Sequence, residues 1–218
     1  MDSSFDGLDG LAPVPDGSPQ IRRITIAAVA IITLLGTIGT ALSPWLLVRM
    51  PLALVALSPD VRHIVLVAAN AEFLPVLAVS EPRRVAGLFA MYGLGWCYGP
   101  MALVYFEQRA PRLGGALRWA ERLFERFGAL LLVLFPAYTF GAFAGAARTP
   151  MRIFVPATLL GQAIYISTSY YFGGVIRQWT VPFVGFLREH LVVSTLICVA
   201  LVAGSQLWSR LKRRRAAE

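Results

Sequence analysis

The sequence predicts an all-α fold: a polytopic helical membrane protein with two re-entrant segments in an inverted-repeat-like arrangement. Three observations predict it. Of 218 residues, 57% are apolar and only 15% charged, against about a quarter charged in soluble domains, so a soluble domain of this size would be short of polar surface. Four apolar runs, about 24–43, 85–106, 153–175 and 191–208, come close to the ~20 residues that cross a ~30 Å hydrocarbon layer as a helix. Two more apolar stretches, about 51–79 and 129–147, are broken by proline and polar residues. Broken backbone at membrane depth persists only against protein or a water-filled cavity.

Taken in order, residues 1–20 hold Asp2, Asp6, Asp9 and Asp16 among Gly, Pro and Ser. They bury little and read as a disordered tail, followed by a membrane domain over 21–209. Arg22 and Arg23 precede the first run, and Thr40, Ala41 and Ser43 close it, the outline of a cleaved signal peptide. The acidic tail in front and the length of the apolar region favour an uncleaved anchor.

The stretch 51–79 falls into two pieces. Pro51–Leu57 is too short to span, and Ser58, Pro59, Asp60, Arg62 and His63 separate it from residues 64–79, which carry Asn70, Glu72 and Pro75. This is the first expected re-entrant segment; an ordinary span carrying one odd acid is the competing reading. The run 85–106 contains Gly87, Gly93, Gly95 and Gly99, small residues that let helices approach closely. In 107–128, Leu113, Leu117, Ala120, Phe124 and Phe127 recur at steps of three and four against arginines and glutamates, which predicts an amphipathic helix at the membrane surface. The second re-entrant segment, 129–147, is broken at Pro136 and contains Gly141 and Gly145, whose spacing suits backbone packing better than a lipid groove. Arg148-Thr-Pro-Met-Arg152 then forms a turn. The run 153–175 carries Pro156 and Gln162, and 191–208 is followed by the basic tail 210–218.

With the N-terminus inside, this topology places 14 Lys and Arg residues in the cytoplasm and 6 outside, in agreement with the positive-inside rule. Both termini are then cytoplasmic, in a multi-pass protein of the cell (inner or plasma) membrane. One re-entrant segment enters from each side and each is followed by a span, the outline of an inverted repeat with a transport site near the midplane.

The chemistry the sequence excludes is as informative. It has no Ser/His/Asp spacing, no Gly-rich phosphate loop, no paired carboxylates and no Cys/His cluster, so neither an enzyme nor a metal or cofactor protein is expected. Cys97 and Cys198 lie in apolar runs, which removes a disulfide scaffold, and His63 and His190 read as interfacial. The basic tail fits a stop-transfer cluster at an anionic leaflet rather than a nucleic-acid site. Glu72 stands out, because an acid between apolar runs costs ~3 kcal/mol on insertion scales unless it is neutralised or faces a cavity. Functional and interfacial readings of Glu72 both stand. For Arg148 and Arg152 the positive-inside rule is the competing account. The candidate transport groove comprises Glu72, Asn70, Arg148, Arg152 and Tyr138, with Glu72 and Arg148 expected to face one polar cavity.

Three stretches carry a resemblance. They are Tyr92-Gly-Leu-Gly-Trp-Cys-Tyr-Gly99; Arg126-Phe-Gly with Phe135-Pro136, Ala144-Gly145-x-x-Arg148-x-Pro150-x-Arg152-x-Phe154 and Leu160-Gly161; and Pro51-Leu-Ala-Leu-Val-Ala-Leu-Ser-Pro59. Together they resemble the DedA family, also called the VTT or SNARE-associated Golgi protein family, over roughly residues 40–208. The chain departs from the family's pattern in two places. Many bacterial members carry Pro-Gly-x-Arg-Thr where this chain has Phe135-Pro-Ala-Tyr-Thr139, and Arg where it has Trp96. The resemblance implies a scramblase- or flippase-type transporter of phospholipid or polyprenyl phosphate, with membrane lipids and anionic headgroups as partners, protons as a coupling ion, and no nucleic acid. A homo-oligomer is compatible with it. The alternatives are a proton- or cation-coupled small-solute carrier and a non-transporting membrane scaffold.

Overall fold

A computed structural model describes residues 19–109, 123–124 and 126–215, with side chains described through Gly99 and from 123 to Trp208. The expected tail 1–20 lies almost wholly outside these residues, as do residues 110–122 and 125 of the expected amphipathic helix 107–128. Among the described residues every regular element is an α-helix: α1 (Pro19–Ala41), α2 (Ser43–Arg49), α3 (Pro51–Leu57), α4 (Val61–Val67), α5 (Phe73–Arg109), α6 (residues 126–134), α7 (Tyr138–Ala146), α8 (Met151–Val175), α9 (Arg177–Glu189) and α10 (Leu191–Arg215). Two helices, Pro19–Ala41 and Leu191–Trp208 within α10, are long and apolar enough to cross a membrane. The expected runs 85–106 and 153–175 are helical, inside α5 and α8.

The chain divides into two compact units. The first unit combines the residues up to Ala30 with Val85–Gln162, and the second combines Ile31–Arg84 with the residues from Ala163 onward. In the first unit, Leu88, Tyr92, Phe124, Leu132, Ala144, Phe154 and Ala157 form the core. Its α5 and α7 stretches meet through glycine. A Cβ at Gly95 would run into the Ala142 carbonyl, and one at Gly145 into the Tyr92 carbonyl and the Trp96 nitrogen. Backbone packing is therefore the use the fold makes of the Gly141–Gly145 stretch. Between α6 and α7, Pro136 opens the helix, and the Gln162 amide donates to the Pro136 carbonyl at 3.0 Å. That bond explains a fully buried glutamine on α8.

The core of the second unit includes Leu46, Leu47, Leu54, Val55, Ile64, Val67, Val76, Ile166, Val184 and Leu187. Helices α2, α3 and α4 have seven residues each, far short of a span. Pro44 and Pro51 start the first two, where the missing N–H is no loss.

Breaks at Met50 and Ser58-Pro-Asp60 separate the three, the second inside the polar residues that divide the two apolar pieces of 51–79. The end of that stretch differs. The chain breaks again at residues 68–72, and 73–79 are already the first turns of α5. Glu81-Pro-Arg-Arg84, between the expected segment 51–79 and the expected run 85–106, lies within α5. The arginines explain why: Arg83 Nη2 donates to Ile32 O at 2.8 Å and Arg84 Nη1 donates to Pro59 O at 2.8 Å. A helical segment that satisfies carbonyls elsewhere in its own unit has reason to stay ordered. Helix α9, with Thr180, Val184 and Leu187 buried at i, i+4 and i+7, occupies a stretch the sequence reading left between spans.

Candidate functional site

The break between α3 and α4 leaves carbonyls without helical partners. Side chains take three consecutive ones, the last of α3 and the two that follow it. Leu57 O accepts from Arg83 Nη2 at 3.4 Å, Ser58 O from His63 Nδ1 at 2.7 Å, and Pro59 O from Arg84 Nη1. Because Ser58 O can only accept, His63 carries its proton on Nδ1, which leaves Nε2 as an acceptor. His63 is 2% exposed. Burial pushes its imidazole below the usual range, outweighing the raising effect of the Ser58 bond. Arg84 is buried with its guanidinium 3.8 Å from the centre of the Tyr165 ring, a cation–π contact strengthened by desolvation.

Beside this break lies a cavity of about 510 Å³ within the second unit, within the range of small-molecule sites. Leu47, Leu54, Leu66, Leu187, Ile197 and Leu201 supply much of its apolar wall, and Thr40, Ser43, Arg62 and His63 form its polar side. Arg62 Nη2 bridges Thr40 Oγ1 at 3.1 Å and Asp60 Oδ2 at 3.3 Å. Half-exposed, that ion pair contributes at most ~1 kcal/mol, so Arg62 is held in place without being committed to its partner. The lining has one formal cation and no acid. Its chemistry suits an amphiphile: a mostly apolar lining that also carries hydroxyls, an imidazole and one guanidinium.

The residues singled out from sequence are distributed differently. Asn70 and Glu72 are exposed in the turn between α4 and α5, in the second unit, and neither lines the cavity. Tyr138, Arg148 and Arg152 belong to the first unit. Tyr138 is half-buried at the start of α7, against Gly87. Arg148 and Arg152 are exposed around the Thr149–Pro150 turn at the other end of that helix. At 1.5 Å per residue, α7 puts ~13 Å between Tyr138 and Arg148, so this pair is not brought together, whereas Arg148 and Arg152 are neighbours.

Arg148 has φ of 50°. It follows the C-cap of α7, with Arg148 N donating to Gly145 O at 3.0 Å and Thr149 N to Ala144 O at 2.9 Å. That is the Schellman ending, whose left-handed position usually holds glycine. Among the described residues no three His, Cys, Asp or Glu gather as a metal-binding set.

Sequence reasoning missed Arg62, His63, Thr40 and the Arg83–Arg84 pair. A signal for the first two exists, because Ser58-Pro-Asp-Val-Arg-His63 is a polar cluster between two apolar pieces, but from sequence such a cluster looks the same as a plain separator. The chain matches no protein-family model, no curated protein and no solved structure.

Proposed function

We propose that this protein is an integral membrane lipid transporter of scramblase or flippase type, moving phospholipid or polyprenyl phosphate between leaflets. The observation that carries the reading is the cavity of the second unit: a mostly apolar lining that suits hydrocarbon, with Arg62, His63 and Thr40 to partner a headgroup. The two helices apolar enough to cross a membrane agree with the setting. In this reading the chain is multi-pass, both termini are cytoplasmic, and the broken stretches 51–79 and 129–147 are re-entrant. The likeness to the DedA family belongs to the same proposal.

The mechanism follows from solvation. A headgroup crossing hydrocarbon loses its water, and a lining of hydroxyls with one guanidinium replaces part of that shell while the acyl chains stay against leucine. Arg148 and Arg152, exposed and adjacent, take anionic headgroups through charge-assisted hydrogen bonds. The deciding experiment is reconstitution into liposomes with a labelled phospholipid and a labelled polyprenyl phosphate, reading the fraction of each exposed to the outer leaflet. Transport of either above protein-free liposomes is expected. Equal leaflet exposure with and without protein, for both lipids, overturns the reading.

A further inference from the structure

A second cleft in the same unit has a different character. It measures about 280 Å³ and is lined by Val48, Arg49, Arg188 and Leu191. Arg49 is the last residue of α2, and Arg188 lies in the last turn of α9. Both side chains are exposed, and neither makes a hydrogen bond or ion pair among the described residues. Glu189 follows Arg188 but forms no ion pair with it, and His190 stacks on Phe186 at 4.7 Å between ring centres.

A cation at a helix C-terminus complements the helix dipole, which accounts for one arginine on each helix. It does not account for two arginines lining one cleft without a carboxylate, where like charges repel. An oxyanion removes that repulsion, and two planar guanidinium forks are suited to grip one from two sides.

We propose that Arg49 and Arg188 form a clamp for the phosphate group of an amphiphile. The apolar half of the argument comes from Val48 and Leu191, which complete the cleft. A phosphate at the clamp therefore has hydrocarbon-compatible surface beside it. The proposal does not rest on lipid translocation, because a protein that binds such a lipid and never moves it would need the same clamp.

The test uses the full chain in non-ionic detergent, with bound lipid counted by native mass spectrometry across titrations with phosphatidic acid and with phosphatidylcholine. Wild type is expected to hold phosphatidic acid in preference to phosphatidylcholine. Arg49→Gln and Arg188→Gln should each weaken phosphatidic acid about tenfold or more, the loss of charged hydrogen bonds. Arg177→Gln, an exposed arginine at the other end of α9, should leave binding unchanged. Excess inorganic phosphate separates the sources: displacement of the lipid supports a site for the phosphate group itself, and retention supports a site for the whole lipid. Equal affinity of wild type for the two lipids overturns the clamp. So does wild-type phosphatidic acid binding by an Arg49→Gln/Arg188→Gln double variant that keeps its thermal midpoint. Neither result bears on leaflet exposure in liposomes, so clamp and transport fail separately.

Discussion

Arg148 occupies the left-handed position that ends α7, where an L side chain costs roughly 1 kcal/mol relative to glycine. Replacing it by glycine relieves that cost, less what the more flexible unfolded chain takes back. Arg148→Gly is therefore expected to raise the thermal midpoint slightly while weakening transport of anionic lipids more than zwitterionic ones. A lowered midpoint would show that the guanidinium stabilises the cap, against the functional reading. His63 gives a residue-scale prediction with a definite sign. Its folded pKa is depressed, mainly by burial, so the unfolded chain takes up a proton near pH 6.5 while the folded chain resists it. Stability is full above that pH and falls as pH drops through 6.5 toward the folded value. His63→Asn keeps a donor for the Ser58 carbonyl and cannot titrate, so its thermal midpoint between pH 7.5 and 5.5 should fall less than that of wild type.

At the scale of helices, α5 and α7 approach so closely that backbone atoms of one occupy the space a Cβ on the other would need. Gly145→Val should therefore destabilise by about 3 kcal/mol or more, at or beyond ordinary overpacking, and reduce yield of folded protein in detergent. Gly174→Ala on α8 has open space around the new methyl and should be neutral or slightly stabilising. Similar losses from both would remove the close-packing account. This packing was legible in advance because small residues at i and i+4 are a local pattern. Helix α9 is just as local, with Thr180, Val184 and Leu187 on one face, but its 13 residues are too short to register as a span. Arg83 and Arg84 were illegible for a physical reason. Their partners are carbonyls between 25 and 51 residues away, and a Glu-Pro-Arg-Arg sequence looks the same in a solvated loop as in a helix that closes another segment's end. The cavity was hidden likewise, since α2, α4, α9 and α10 contribute walls that no single stretch reveals.

For the whole molecule, the all-helical reading holds among the described residues, and the membrane reading rests on α1 and α10. Two spans and four spans both put the termini on one side, so locating the termini alone cannot count the crossings. A position between them can. If only α1 and α10 cross and the termini are inside, 7 of the 20 Lys and Arg residues are cytoplasmic and 13 lie outside, in a loop too long for the positive-inside rule to count its charges. With four crossings the cytoplasm holds 14 and the exterior 6. The difference lies in seven arginines between 109 and 152, which change sides between the two topologies. A chain with Cys97 and Cys198 replaced by alanine, carrying one new cysteine at Ser18, Ala116 or Ala217, should be inert to a membrane-impermeant thiol reagent in intact cells at all three positions and reactive after lysis. Labelling of Ala116→Cys alone in intact cells would establish two crossings and remove the inverted repeat. It would also place the Arg148–Arg152 turn and the 107–128 segment on the side opposite the termini, and the headgroup role proposed for those arginines would then apply to the outer leaflet only.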